Sequence, residues 1–158
     1  MGKSKTPPAC LDVTATIAAP PSLVMRAFFD PSALGAWWGV SRSVTTPRLL
    51  GPYAVEWPAT DFKDDVLGRL GGVFRGTVMQ YDPSHGFFVA DAMHLPPDGE
   101  PIGPMALDVS CKTVAGSSTR LHVSQTGFEE SVRWRRYYEV ISIGWERALI
   151  AMKSLLEK

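Results

Sequence analysis

The chain is 158 residues long, a length that fits one domain able to bury ~68–70% of the surface its unfolded form exposes. With 45% hydrophobic and 20% charged residues, its composition is that of an ordinary globular protein. The 16 basic and 16 acidic residues cancel, which removes the electrostatic footprint expected of a nucleic-acid or anionic-membrane binder.

Residues 1–9 are polar, contain Pro7-Pro8, and are expected to form a disordered tail before a single domain over 10–158. Met1-Gly2-Lys3-Ser4-Lys5-Thr6 matches the N-myristoylation pattern, but so short a motif recurs by chance and no lipid anchor is expected. The start lacks the apolar stretch of a signal peptide, and no apolar run approaches the roughly 18 residues of a spanning helix. A soluble, cytoplasmic protein is the expectation. Leu11, Val13, Ala15 and Ile17 alternate with Asp12, Thr14 and Thr16, the period of a strand with one face buried. Pro20-Pro21-Ser22 ends that strand and opens a helix with an apolar stripe of Val24, Ala27 and Phe28. Asp30-Pro31 predicts the N-cap and first turn of a second short helix through Trp37-Trp38.

Strands are predicted next: a weak one over Ser43 to Pro47, then one over Tyr53 to Trp57. Val73 to Tyr81 and Gly86 to Met93 form a hairpin through Asp82-Pro83-Ser84-His85. Met105 to Cys111 alternates cleanly, Ala115-Gly116-Ser117-Ser118 turns the chain, and Thr119 to Thr126 returns with Leu121 and Val123 inward. Successive short hairpins imply an antiparallel sheet. From Arg133 to Glu157, Trp134, Tyr138, Ile141, Trp145, Ala148, Met152 and Leu155 step by four and three, predicting a helix ~37 Å long. Gly144 inside it costs roughly 1 kcal/mol relative to alanine, and is expected to let a strand or ligand approach the backbone. Arg133, Arg135 and Arg136 are expected to be the exposed side of the helix start.

The catalytic and metal-binding signatures sought are missing. There is no G-x-S-x-G elbow, phosphate loop, dinucleotide fingerprint or H-E-x-x-H helix. His85, His94 and His122 share no ligand spacing, so no metal or cofactor is expected and each takes a structural or surface role. Cys10 and Cys111 make no disulfide framework and are expected to be reduced thiols. Asp64-Asp65 reads as a solvated loop.

Strand, two short helices, some six or seven strands and one long helix is the helix-grip order, an α+β fold in which a curved antiparallel sheet wraps a C-terminal helix. The residues also resemble a family: bacterial proteins similar to the C-terminal domain of the activator of the 90-kDa heat-shock-protein ATPase. That family lies within the START/polyketide-cyclase (SRPBCC) superfamily. The resemblance is carried by Ile17-Ala18-Ala19-Pro20-Pro21, Asp30-Pro31 with Trp37-Trp38-Gly39, and Arg48 with Gly51 and Tyr53. Gly76 and Val78 before Asp82-Pro83, Thr126-Gly127-Phe128, and Gly144-Trp145 with Leu149 extend it over roughly residues 11 to 157. Asp61 to Gly72 is longer and more charged than the family's usual connection, and Leu95 to Pro104 is a proline-stiffened excursion. The resemblance implies that such loops border a cavity mouth. It does not imply one activity, since the superfamily includes lipid and hormone binders, polyketide cyclases and co-chaperone domains.

The chain has an aromatic and methionine surplus, and an incompletely filled cavity is expected to be lined by Trp37, Trp38, Tyr53, Val55, Trp57, Phe88, Met93, Tyr138, Ile141 and Trp145. Candidate polar groups are Glu56, Arg75, Asp91, His94 and Tyr138, with Glu56 facing opposite Tyr53, Val55 and Trp57 on its strand. The leading reading is a binding protein for an apolar or aromatic, lipid-like molecule, a monomer or weak dimer without chemistry of its own. The second is a cyclase or dehydratase in which Asp91 or Glu56, with Tyr138, moves protons on a polyketide-like substrate. The third is a co-chaperone acting on a heat-shock protein through its surface.

Overall fold

In the computed structural model, which describes residues 8–158, the first alternating segment is strand β1 (Cys10–Ile17). Most of the expected tail, and the Gly2 acceptor pattern, lie outside the described residues. Helix α1 (Pro21–Ala27) begins on the proline pair. Helix α2 (Pro31–Trp38) is capped by the Asp30 carboxylate, which accepts from the Ala33 amide at 2.9 Å. Gly39 ends it with φ +70°, a left-handed turn that glycine adopts without a Cβ penalty.

Strands β2 (Arg42–Thr45) and β3 (Pro52–Trp57) follow, then a small hairpin of β4 (Lys63–Asp64) and β5 (Gly68–Arg69). The long antiparallel run is β6 (Gly72–Asp82), β7 (Gly86–Leu95), β8 (Ile102–Val114) and β9 (Ser118–Thr126). Helix α3 (Val132–Leu156) closes the chain, one residue earlier at each end than the periodicity predicts. Its N-cap is Ser131, whose hydroxyl accepts from the Trp134 amide at 2.9 Å.

The main sheet runs β1-β9-β8-β7-β6-β3-β2, antiparallel throughout. Its inner face, including Val89, Leu107, Val109, Leu121 and Val123, is buried against Trp145, Ala148, Leu149 and Met152 of α3 and Val24, Met25 and Phe28 of α1 and its cap. The C-terminal end of α3 is tied to β1, where Lys153 Nζ donates to the Thr16 carbonyl at 2.8 Å and Glu157 accepts from the Ala18 amide. Cys10 and Cys111 are free, and burial raises the Cys111 thiol to about 11. No helix among the described residues is long and apolar enough to cross a membrane.

Two expectations about charge are corrected. Asp64 is not a solvated loop residue: its side chain is only 6% exposed, it caps the Val66 and Leu67 amides, and it meets Arg136 at 2.6 Å. The arginines at the start of α3 are half-buried, not a solvated face. Arg136 takes Asp64, Arg133 donates to the carbonyls of Glu100 and Pro101, and Arg135 lies over the Tyr138 ring. The hairpin segment and the Leu95–Pro104 excursion are thus both pinned to the first turns of α3, with Arg69 and Asp98 joined at 3.0 Å between them. These partners are far apart in sequence, so local charge patterning could not reveal them.

Candidate functional site

Between α2, α3 and the β3–β6–β7 side of the sheet lies a cavity of about 430 Å³, within the range of small-molecule sites. Its wall is mainly aromatic. Trp38 stacks on Trp37 with ring centres 4.9 Å apart, tilts against Trp145 at 4.7 Å and meets Trp57 edge-on at 5.2 Å. These rings are fixed from behind: Trp37 Nε1 donates to the Ala27 carbonyl and Trp57 Nε1 to the Trp38 carbonyl, both at 2.8 Å. An indole that satisfies its N–H on the backbone presents an apolar face to the cavity.

One polar chain crosses the wall. Trp145 Nε1 donates to Gln125 Oε1 at 3.0 Å, and the Gln125 side chain also bears on the Tyr137 hydroxyl. Tyr137 and His94 Nδ1 are 3.0 Å apart, and His94 Nε2 lies 2.8 Å from the Gly71 carbonyl. A carbonyl only accepts, so Nε2 carries the proton, Nδ1 is the acceptor and Tyr137 donates to it. Burial holds His94 below the ordinary histidine value and raises Tyr137, so both stand neutral at physiological pH. Trp57 lies parallel to the imidazole, 6.1 Å away. His94, Tyr137, Gly71, Val140 and Ile141 also border an adjoining hollow of about 60 Å³, so this hydrogen-bonded pair forms part of a partition.

The exposed wall residues Pro58, Gly144 and Arg147 mark where the cavity opens to solvent. A Cβ added at Gly144 would meet no heavy atom within 4 Å. The glycine therefore does not admit a strand, and it stands at the open side of the cavity. The Leu95–Pro104 excursion is not at this mouth. Its Pro96 and Ile102 border the smaller hollow instead, because Arg69 and Arg133 hold the excursion on that side.

Of the residues singled out from the sequence, Trp37, Trp38, Trp57, Ile141 and Trp145 line the cavity, and so does His94. Tyr53 and Val55 share the inner face but are fully buried beside it; the Tyr53 hydroxyl donates to the Phe28 carbonyl at 2.8 Å. Phe88 and Met93 point to the outer face, opposite Asp108 and Arg75. Phe88 lies between the inward Phe87 and Val89, and Met93 is turned outward by a β-bulge: three steps of β7 from Val89 to Ala92 oppose two steps of β8, from Leu107 to Met105. One extra residue flips the alternation, so Phe87 and Val89 before the bulge, and Ala92 and His94 after it, face inward. Asp91 is the exposed residue of that bulge, at φ +52°, and lies outside the cavity. Glu56 is on the outer face, 2.6 Å from Arg42, and Arg75 is exposed there too. Tyr138 packs on Phe128 at 5.1 Å, one helical step off the wall that Tyr137 occupies. Gln125 was missed, although the alternation that buries Leu121 and Val123 places it on the same face. Among the described residues no cluster of His, Cys, Asp and Glu could hold a metal ion.

The neutral His94 has a consequence for stability. Its folded-state value lies below the unfolded one, so the unfolded chain takes up the proton first. Its stabilising contribution is complete above about 6.5, the ordinary histidine value, and is lost as pH falls below it. His94→Gln keeps a donor for Gly71 and an acceptor for Tyr137 but does not titrate. Denaturant unfolding from pH 7.5 to about 5 is expected to show wild type losing stability relative to this variant; parallel curves would show that His94 is not held neutral.

A curved antiparallel sheet gripping a long helix over an aromatic cavity defines the helix-grip class. The chain belongs to the family described as Activator of Hsp90 ATPase homolog 1-like protein, which matches residues 18–157. No curated protein matches it significantly. Among solved structures, a Chromobacterium violaceum protein is similar at 21% identity and TM-score 0.69, over 96% of this chain and 99% of that one. An AHSA1 protein from Silicibacter pomeroyi is similar at 14% identity and TM-score 0.69, over 94% and 97%. The Aha1 dimer from Colwellia psychrerythraea is similar at 16% and 0.64, over 94% of this chain and 96% of that one. At these identities the likeness shows the shared fold.

Proposed function

We propose that the protein binds an apolar or aromatic small molecule in the 430 Å³ cavity, as one ligand-binding domain over residues 10–158. The observation that carries this reading is the wall itself: four tryptophan faces, with the N–H groups of Trp37, Trp57 and Trp145 already satisfied, and no carboxylate. Water gains few partners in such a space, so an apolar guest displaces it favourably. The cyclase reading has lost its acids, since Asp91 and Glu56 stand on the outer surface. The free thiols fit a cytoplasmic protein, acting as a monomer or weak dimer. A co-chaperone role rests on the family's description alone.

Flat aromatics and fatty acids are expected to quench tryptophan fluorescence, because four indoles border the site. Ile141→Trp is expected to abolish quenching by filling the space, with the thermal midpoint moving by no more than a few degrees. Native mass spectrometry of freshly purified protein checks for a co-purifying guest. If no probe binds wild type and Ile141→Trp unfolds it, the interior is a solid core and the surface-acting reading takes over.

A further inference from the structure

The polar side chains Gln125, Tyr137, His94 and Thr60 of the cavity wall are committed to hydrogen bonds within the protein. Gln125 Oε1 accepts from Trp145, Tyr137 donates to His94, and His94 donates to the Gly71 carbonyl. The Thr60 hydroxyl donates to the Phe62 carbonyl and accepts from the Leu70 amide. A guest that placed a polar group deep inside would have to break one of these bonds or leave its own group unpaired. The buried part of the guest is therefore apolar.

The mouth is different. Arg147 is an exposed wall residue, and it makes no hydrogen bond or ion pair among the described residues. Its neighbours three and four positions away on α3 (Ile143, Gly144, Ile150 and Ala151) carry no charge. No carboxylate lies elsewhere in the wall, and the wall histidine is neutral. The cavity thus has an apolar interior and one unpaired guanidinium at its opening, a planar fork that matches a carboxylate.

Building on the small-molecule reading above, we infer that the guest is an amphipathic monocarboxylic acid. Its apolar body lies among Trp38, Trp57 and Trp145, and its carboxylate meets Arg147 at the mouth. One guanidinium balances one negative charge, which favours a monocarboxylate over a doubly charged head.

The test uses dodecanoate, dodecanol and dodecylamine at neutral pH and low salt, read by tryptophan fluorescence on the intact protein. Dodecanoate is expected to bind about fivefold more tightly than dodecanol, the size of an ion pair at an exposed site, with the amine weakest. Added salt should shrink the gap by screening. Arg147→Gln should bring dodecanoate to the level of dodecanol while leaving dodecanol within about twofold of its wild-type affinity, and Arg147→Glu should reverse the order of acid and amine. Equal binding of acid and alcohol by wild type overturns the head-group assignment while the cavity reading stands, as does a gap that survives Arg147→Gln. Failure of all three probes overturns the cavity reading itself.

Discussion

Trp145→Ala is expected to lower stability by ~3–5 kcal/mol, the range for deleting a large buried aromatic. Trp145 is only 4% exposed and sits where α3 crosses the sheet. Three losses coincide there: apolar burial, the contact with Trp38, and the donor that satisfies Gln125 Oε1. The existing cavity would merge with the space left behind, so collapse of the neighbours cannot recover much. Urea unfolding with an unchanged m-value measures the effect. A loss below about 1 kcal/mol, that of an ordinary surface change, would mean that α3 packs through another face. The variant should also lose most of its probe-dependent quenching, because it removes both a fluorophore and a wall.

Gly71→Ala is expected to cost about 3 kcal/mol or more, unusual for a single methyl group on a half-buried residue. Gly71 has φ +99°, a conformation that L side chains rarely adopt, and an added Cβ would lie 2.3 Å from the Pro58 carbonyl oxygen. The clash is with backbone, so no rotamer change relieves it. The site suffers as well: the Gly71 carbonyl fixes the His94 tautomer and Pro58 borders the mouth. Stability and probe affinity should fall together. A variant as stable as wild type would show that the segments at Pro58 and Gly71 can part without cost.

The succession of elements was legible because local chemistry produces it. Period-two apolar runs became β1 and β6 to β9, Asp30-Pro31 became the cap and first turn of α2, and the step of three and four became α3. The family resemblance was legible for the same reason, its glycines, prolines and tryptophans standing at turns, caps and packing faces spread along the chain. Much of the aromatic part of the cavity wall followed from those elements too: Trp37 and Trp38 end α2, Trp57 ends β3, and Ile141 and Trp145 fall on the apolar stripe of α3.

The rest required the tertiary structure. Tyr137 and Tyr138 are chemically equivalent neighbours, and only the rotation of α3 against the sheet decides which one meets His94. Phe88 and Met93 were assigned to the cavity as part of the apolar surplus, but Phe88 alternates with the inward Phe87 and Val89, and the bulge at Asp91 adds one residue that turns Met93 outward and His94 inward instead. Strand parity cannot show such an insertion, because the extra residue is defined only by its register against β6 and β8. Arg136 and Asp64 are 72 positions apart, so neither one's neighbours announce the pair. Local periodicity thus determined which elements form and which faces are apolar. The rotation, register and long-range pairing of those elements, set by packing, decided which side chains the cavity receives.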